Sequence, residues 1–383
     1  MRHCRQCVEP DTRPGQQFDE SGLCAPCRFH AEAPEVDWDA RQRELDEVVG
    51  WARQRRTRGY DCALGVSGGK DSTRLAMFAR EAGMNPLLVS CTCPPEMMTD
   101  RGARNLSNLV SLGFDLVTVN IAPETYRKLM LTGFRDFGNY CRATEIALYA
   151  SIPRIAVAYG IKLVCLGENP FVTVGTGCGS NDADASALLS MNTLGGGDIT
   201  PFITPDTPSK LLNWYKFPRP EELERAGVKM IFLAHYIEHY EDQNNAEYAK
   251  QVGLEIRTGR DADIAETGCL YDYCALDEDF IFINQMLKYF KMGSALVSQQ
   301  TSMQIRHGRM TRDEAIDLVK RYDGRVHPRF IDRFCRFLRI TPETFQEIAE
   351  RYRNHDIWMR DNHGEWRLRK QVDDPDGYAT AAE

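Results

Sequence analysis

The chain has no apolar run long enough to cross a membrane. Nothing in its 383 residues approaches roughly 18 uninterrupted apolar positions, and the opening MRHCRQCVEPDTRPG has no apolar core of the kind a secretory signal carries. A cytoplasmic protein with no membrane span is therefore expected. Nor is there an excess of positive charge: 55 acidic residues stand against 47 basic ones, a formal net charge of −8. That balance argues against a nucleic-acid binder working over a wide basic face, and leaves room for a local basic pocket. The Walker A pattern is also missing, because Leu64 stands five places before Gly69 where a glycine is needed, and Asp71 follows Lys70 where Ser or Thr is needed. Apolar residues are not scarce, and at 43 % they suffice for a sizeable core spread over two or three domains.

Cysteine is plentiful, with 13 residues. In a cytoplasmic protein these read as thiols and metal ligands before disulfides. The first four, Cys4, Cys7, Cys24 and Cys27, form C-x2-C-x16-C-x2-C. Two such knuckles joined by a turn-rich loop place four thiolates about 2.3 Å from a central Zn2+. Residues 1–34 are thus expected to be a zinc ribbon, and a closed four-cysteine site leaves no open position for catalysis. Behind it Trp38, Leu45, Val48, Val49 and Trp51 recur at helical spacing, which predicts an amphipathic linker helix ending before Gly59.

Apolar, β-branched runs then alternate with helical patterns. Strands are expected at 61–66, 86–91, 115–121 and 162–166, and helices at 72–82, 101–112 and 143–159. This alternation implies an α/β fold with a parallel sheet covered on both faces, whose ligands bind beyond the carboxyl ends of the strands. The loop Ser67-Gly68-Gly69-Lys70-Asp71-Ser72 falls at that edge between a strand and a helix. Glycines let backbone approach an anion, the helix offers unpaired N–H groups, and two hydroxyls add donors, so the loop is a phosphate seat on physical grounds.

The same stretch resembles the S-G-G-x-D-S signature of PP-loop ATP pyrophosphatases. The chain as a whole is similar to the N-acetyl sugar amidotransferases of bacterial surface-polysaccharide and nonulosonic-acid pathways. The resemblance is carried by CRQCVEPDTRPGQQFDESGLCAPC, LGVSGGKDST, RGARNLSNLVSLGFDLVTV, LVCLGENP and HGRMTRDEAIDLVKRYDGRVHPRF. It implies a parallel-sheet PP-loop (HUP-like) domain over 35–265 between the ribbon and a C-terminal helical region over 266–360. It also implies cleavage of ATP between its α and β phosphates, with Mg2+ on the phosphates. An acetamido carbonyl of an N-acetylated sugar or nucleotide sugar would be adenylylated, and ammonia would displace AMP to give an acetamidino group.

The resemblance further implies residue roles. Ser67, Gly68, Gly69 and Ser72 would hold pyrophosphate, with Lys70 facing the same charge. Asp71 would bind Mg2+ or order the loop as a helix-start carboxylate. Ser90 and Cys91 lie where adenine rests in this fold. Gly167 and Glu168 end the fourth strand; Glu168 orients the amine, binds the sugar, or caps a helix. Asn105 and Asn108 read as surface polar groups.

No second Cys-His domain is evident, so the resemblance implies a separate glutaminase partner supplying ammonia. The glycine- and proline-rich segment 175–217 is expected to be a lid-like loop. Segment 266–279 departs from the family in carrying Cys269, Tyr271, Cys274 and Asp277, which keeps a rival open: a PP-loop sulfurtransferase using cysteine persulfide or an iron–sulfur cluster. Helical spacing from Phe280 to Arg353 predicts helices that close the sugar side of the cleft or build a homodimer face, with a capping box at Thr311 and Glu314. The tail 367–383 is expected to be disordered.

Overall fold

The computed structural model describes residues 1–32, 35–56, 58–167, 182–190 and 194–374. The elements in chain order are α1 (Ala25–Glu32), α2 (Trp38–Gln54), β1 (Cys62–Gly65), α3 (Lys70–Glu81), β2 (Pro86–Thr92), α4 (Asp100–Ser111), β3 (Asp115–Asn120), α5 (Pro123–Phe137), α6 (Cys141–Tyr159) and β4 (Leu163–Leu166). After a run of short 3-10 turns come α7 (Pro220–Ala226), β5 (Lys229–Phe232), α8 (Asp242–Gln251), α9 (Ile264–Thr267), α10 (Ile281–Met292), α11 (Leu296–Arg306), α12 (Arg312–Tyr322), α13 (Pro328–Leu338), α14 (Pro342–Glu350), β6 (Trp358–Arg360) and β7 (Trp366–Leu368).

The five strands β1–β5 form one parallel sheet in the order β3-β2-β1-β4-β5. Because successive side chains point to opposite faces, Cys62 and Leu64 join one core with α2, α3 and α4, while Ala63 joins the other with α5 and α6. The sheet order reverses between β1 and β4, and the loop 67–69 leaves β1 at that switch point. Strand β5 was not expected: KMIF is too short for its periodicity to separate strand from helix. Its outer edge is covered, since Ala185 N donates to Met230 O (3.1 Å) and Phe232 N to Ala183 O (2.8 Å).

The helical region shares the larger core. Phe134 of α5 stacks on Phe345 of α14 (centroids 5.3 Å apart) and meets Phe334 of α13 edge-on at 5.4 Å. The capping box stands at the start of α12, where Thr311 N donates to Glu314 Oε2 at 2.8 Å and Glu314 N to Thr311 Oγ1 at 3.3 Å.

Two expectations change. Of the segment 175–217, residues 175–181 and 191–193 lie outside the described residues. The remainder is laid down largely as 3-10 turns whose Leu194, Phe202, Leu212 and Tyr215 are buried in the main core, more tightly packed than a loose loop. The tail expected to be disordered from 367 is ordered to Asp374, while 375–383 lie outside the described residues. β6 and β7 pair antiparallel, and the Arg353 guanidinium sits over the rings of Phe290, Trp358 and Trp366 at 3.6, 4.9 and 5.0 Å. Val372 is buried against Val8 and Ala315. Among the described residues no helix is long and apolar enough to cross a membrane.

Candidate active site and N-terminal metal site

At the N-terminus the Sγ atoms of Cys4, Cys7, Cys24 and Cys27 all lie within 4.8 Å of one another, and all four residues are buried. The Cys7–Cys24 pair is 3.6 Å apart. A tetrahedron with Zn–S bonds of about 2.3 Å requires sulfurs about 3.8 Å apart, so the donor set fits zinc. The ribbon docks on the helical region: Val8 N donates to Ser302 Oγ at 3.3 Å, and Arg312 Nε to Cys7 O at 3.1 Å.

The loop after β1 is built around Ser72. Its hydroxyl accepts from Ser67 N (3.2 Å) and Gly68 N (3.1 Å) and donates to Gly69 O (3.1 Å), while Gly69 N donates to Ser67 Oγ (3.3 Å). Gly69 is the extended N-cap of α3, and the first helical bond is Thr73 N to Gly69 O at 3.0 Å. The N–H groups of Lys70, Asp71 and Ser72 therefore precede the helical ladder, the arrangement that suits an anion at a helix N-terminus.

Gly68 has φ +83°, and a Cβ there would meet Leu106 N at 2.9 Å and Asn105 C at 3.1 Å. Gly68→Ala should cost about 1–2 kcal/mol in backbone strain before any clash, and should shift the loop. Calorimetry is expected to show at least tenfold weaker ATP binding; unchanged affinity would mean that the loop does not seat the nucleotide.

Lys70 is half-buried between two carboxylates, with Nζ 2.6 Å from Asp71 Oδ2 and 3.0 Å from Asp242 Oδ1, and lies 5.6 Å from the Tyr273 ring centroid. Burial alone would lower its pKa, but Asp71 and Asp242 outweigh it and raise it, so Lys70 is a fixed cation. Asp71 has both oxygens engaged, Oδ2 by Lys70 and Oδ1 by Asn245 Nδ2 at 2.8 Å. This geometry suits the loop-ordering role. Among the described residues the four N-terminal cysteines are the one group of three or more Cys, His, Asp or Glu arranged to hold a metal.

The remaining expected residues are spread along the same edge. Ser90 (2 % exposed) and half-buried Cys91 end β2, beside β1, and burial pushes the Cys91 thiol up to about 12. As neighbours on one strand they face opposite sides of the sheet. Gly167 directly follows β4, and its carbonyl accepts from Ala234 N at 3.4 Å; Glu168 lies outside the described residues. Asn105 is no surface group: it is 2 % exposed, and its Nδ2 donates to Glu255 O (2.9 Å) while its Oδ1 accepts from Glu255 N (2.8 Å). Asn108 donates to Val252 O at 2.9 Å. Both tie α4 to the 252–255 turn.

Several residues were missed. Asp242 and Asn245 sit on α8, whose contact face with α3 is polar and alanine-rich, so no apolar stripe announced it. Arg257, 1 % exposed, is a clamp: its Nε donates to Cys274 O (2.8 Å), Nη1 to Asp279 Oδ1 (2.9 Å) and Nη2 to Ala275 O and Glu278 O. It folds 272–279 alongside the loop, and at Gly102 a Cβ would strike Asp277 Cα at 2.5 Å. In this segment a hydrogen bond shared by Cys269 and Cys274 brings the Cys269 thiol down to about 7 and pushes that of Cys274 up, and Gln300 Nε2 lies 3.3 and 3.9 Å from their sulfurs.

Glu278 receives N–H donors from Phe280 and Ile281 and the Tyr140 hydroxyl. Burial and then Asp277 push its pKa up to about 8. The native state therefore holds a proton that the unfolded chain releases above its ordinary value of 4.5. Stability from this group is full below that value and is lost as pH rises through about 8. Glu278→Gln should flatten the fall in denaturation midpoint between these limits; parallel wild-type and variant curves would contradict it.

Residues 273–373 match the family model described as LPS biosynthesis protein WbpG-like, C-terminal domain. The C-terminal quarter is thus similar to a WbpG-like C-terminal domain. The matched segment begins at Tyr273, whose ring lies 5.6 Å from Lys70 Nζ, and runs through the β6–β7 hairpin. The solved structure of NMN synthetase from Francisella tularensis is similar at 13 % identity, covering 59 % of this chain and 100 % of that one with a TM-score of 0.27. No curated protein matches the chain.

Proposed function

We propose that this protein is an ATP-dependent amidotransferase of bacterial surface-glycan biosynthesis, converting the acetamido group of an N-acetylated sugar or nucleotide sugar to an acetamidino group. The observation that carries the reading is the Ser-Gly-Gly-Lys-Asp-Ser loop at the β1/β4 switch point, opening α3 with Lys70 held as a cation, beside a WbpG-like lipopolysaccharide-biosynthesis domain. An unactivated amide is a poor electrophile. In the proposed reaction its carbonyl oxygen attacks the α-phosphorus and pyrophosphate leaves. Ammonia then adds to the imidate carbon, AMP departs with the former carbonyl oxygen, and one proton is released.

The first-turn N–H groups of α3 and Lys70 would hold the β and γ phosphates and stabilise charge on the leaving pyrophosphate. Mg2+ carried in on the triphosphate would neutralise further charge. Asp71 and Asp242 fix the position of Lys70, and Ser90, Cys91 and Gly167 flank the nucleotide's base side. Glu168 is assigned to the sugar or the amine. The four thiolates of the ribbon would hold zinc in a purely structural role. Ammonia would come from a separate glutaminase, with the chain working in the cytoplasm, and the helical region offers the face for a homodimer.

One observation favours a second reading. The Cys269–Cys274 pair lies in the segment that carries Tyr273 beneath Lys70, which places a sulfur nucleophile in the chain segment next to the loop. Mass spectrometry of a candidate acetamido sugar after incubation with ATP and, in parallel, ammonium or inorganic sulfide separates the two. Replacement of O by NH lowers the mass by one unit, whereas replacement by sulfur raises it by sixteen. Glutamine-dependent but not ammonium-dependent activity should vanish without the glutaminase.

A further inference from the structure

A cavity of about 640 Å³ opens beyond the carboxyl ends of β2 and β3, one to two strands to the side of the loop. Its volume falls in the range of small-molecule sites, roughly 300–1,000 Å³. Four arginines line it, Arg127 at the start of α5 and Arg333, Arg336 and Arg339 along α13 and its C-cap, against the two carboxylates Glu96 and Glu124. Four positive charges less two negative leave +2 in a chain whose net charge is −8.

The arginines are not equivalent. Arg333 is built in, with Nη1 on Asp279 Oδ2 at 2.7 Å and Nη2 on Met97 O at 3.1 Å. Arg127 pairs with Glu124 and donates to Leu338 O at 3.3 Å. Arg339 shares Glu124 at 3.4 Å. Arg336 is exposed and has no ion-pair or hydrogen-bond partner for its guanidinium among the described residues. Its neighbours fix the wall while its own donors stay available. Planar guanidinium forks in this number match phosphate oxygens better than any neutral group.

We propose that this cavity is a second oxyanion site, distinct from the ATP loop, which binds the diphosphate of a nucleoside diphosphate ester. The inference rests on the reading that an acetamido sugar is the acceptor, and it assigns the end of that acceptor remote from the amide. Arg333 joins the two subsites: it holds Asp279 of the segment that carries Tyr273 under Lys70. A diphosphate seated here would direct the sugar back toward the α-phosphorus. A polyprenyl carrier is the other source of a diphosphate ester, but among the described residues the only apolar side chains lining the cavity are Pro123 and Phe337, which gives a prenyl chain no trough and a nucleoside base one half-buried ring to stack on.

The test is calorimetric binding of UDP and of farnesyl diphosphate to the full chain with the loop already saturated by α,β-methylene-ATP. UDP is expected to bind one to one, farnesyl diphosphate at least tenfold more weakly, and Arg336→Glu should weaken UDP at least tenfold with the ATP analogue unaffected. UDP failing to bind the saturated protein, equal UDP affinity in Arg336→Glu, or tighter binding of the prenyl diphosphate would each overturn the assignment. Since no turnover is read, a failure here is separable from a failure of the proposed reaction, which is judged on AMP formation alone.

Discussion

Lys70→Ala is expected to lower ATP-dependent turnover by about two to three orders of magnitude, the range seen when one preorganised charge-stabilising donor is removed from an active site. Lys70 is held by Asp71 and Asp242 at 2.6 and 3.0 Å and over Tyr273, so its position does not have to be found at the moment of reaction. Its loss has a second consequence. The two carboxylates it bridges would face an incoming polyphosphate without the cation between them, turning an attractive seat into a repulsive one. Asn245 would still hold Asp71, so the fold should survive, and thermal denaturation should show a shift of only a few degrees. Asp242→Asn in the same background should recover part of the lost nucleotide affinity, because it removes one of the uncompensated charges. Pyrophosphate release measured under saturating acceptor checks the first claim; a fall of less than threefold would mean that Lys70 does not touch the reacting phosphates.

Removing the metal from the N-terminal site should have the largest effect on stability. Structural zinc in four-thiolate sites binds with apparent free energies of about 10–16 kcal/mol, and that energy is folding energy for the segment it organises. Here the segment does not stand alone. Val8 and Cys7 are tied to Ser302 and Arg312, and Val8 shares a small core with Ala315 and Val372. Unfolding the ribbon therefore strips one side of α11 and α12 and frees the strand of chain after β7. Cys24→Ser, or a strong chelator at elevated temperature, is expected to lower the midpoint of thermal unfolding by more than about ten degrees. Hydrogen exchange should accelerate in α11 and α12 while β1–β4 stay protected. Elemental analysis should give one zinc per chain in the wild type. A chelated protein that melts at the wild-type temperature would show that the four thiols hold no structural metal.

Much of the architecture could be read from the residues because local and global signals agree there. The strands β1 to β4, the helices α3, α4 and α6, the capped α12 and the cysteine knuckles each carry a periodicity, a cap or a spacing with one physical meaning. What escaped has physical reasons of its own. β5 is four residues long. α8 buries alanine and Asn245 against α3, so it shows no apolar stripe. Residues 194–217 have the composition of a loose loop, yet isolated large side chains such as Phe202 and Tyr215 suffice to pin them to the core. The loop itself was legible residue by residue, but its partners were not: Asp242, Asn245, Arg257 and Tyr273 come from more than 170 positions away, and no local pattern marks them. Asn105 looked like a surface group because asparagine on a helix usually is one. It is buried because the 252–255 turn needs both of its amide atoms to satisfy one backbone residue.

The central claim is that residues 67–72 seat the outer two phosphates so that attack falls on the innermost one. Phosphorus NMR of a complete reaction with ATP, ammonium and an acetamido nucleotide sugar tests it most directly. AMP and pyrophosphate growing in equal amounts with acetamidino product is the predicted result; ADP and orthophosphate would contradict it.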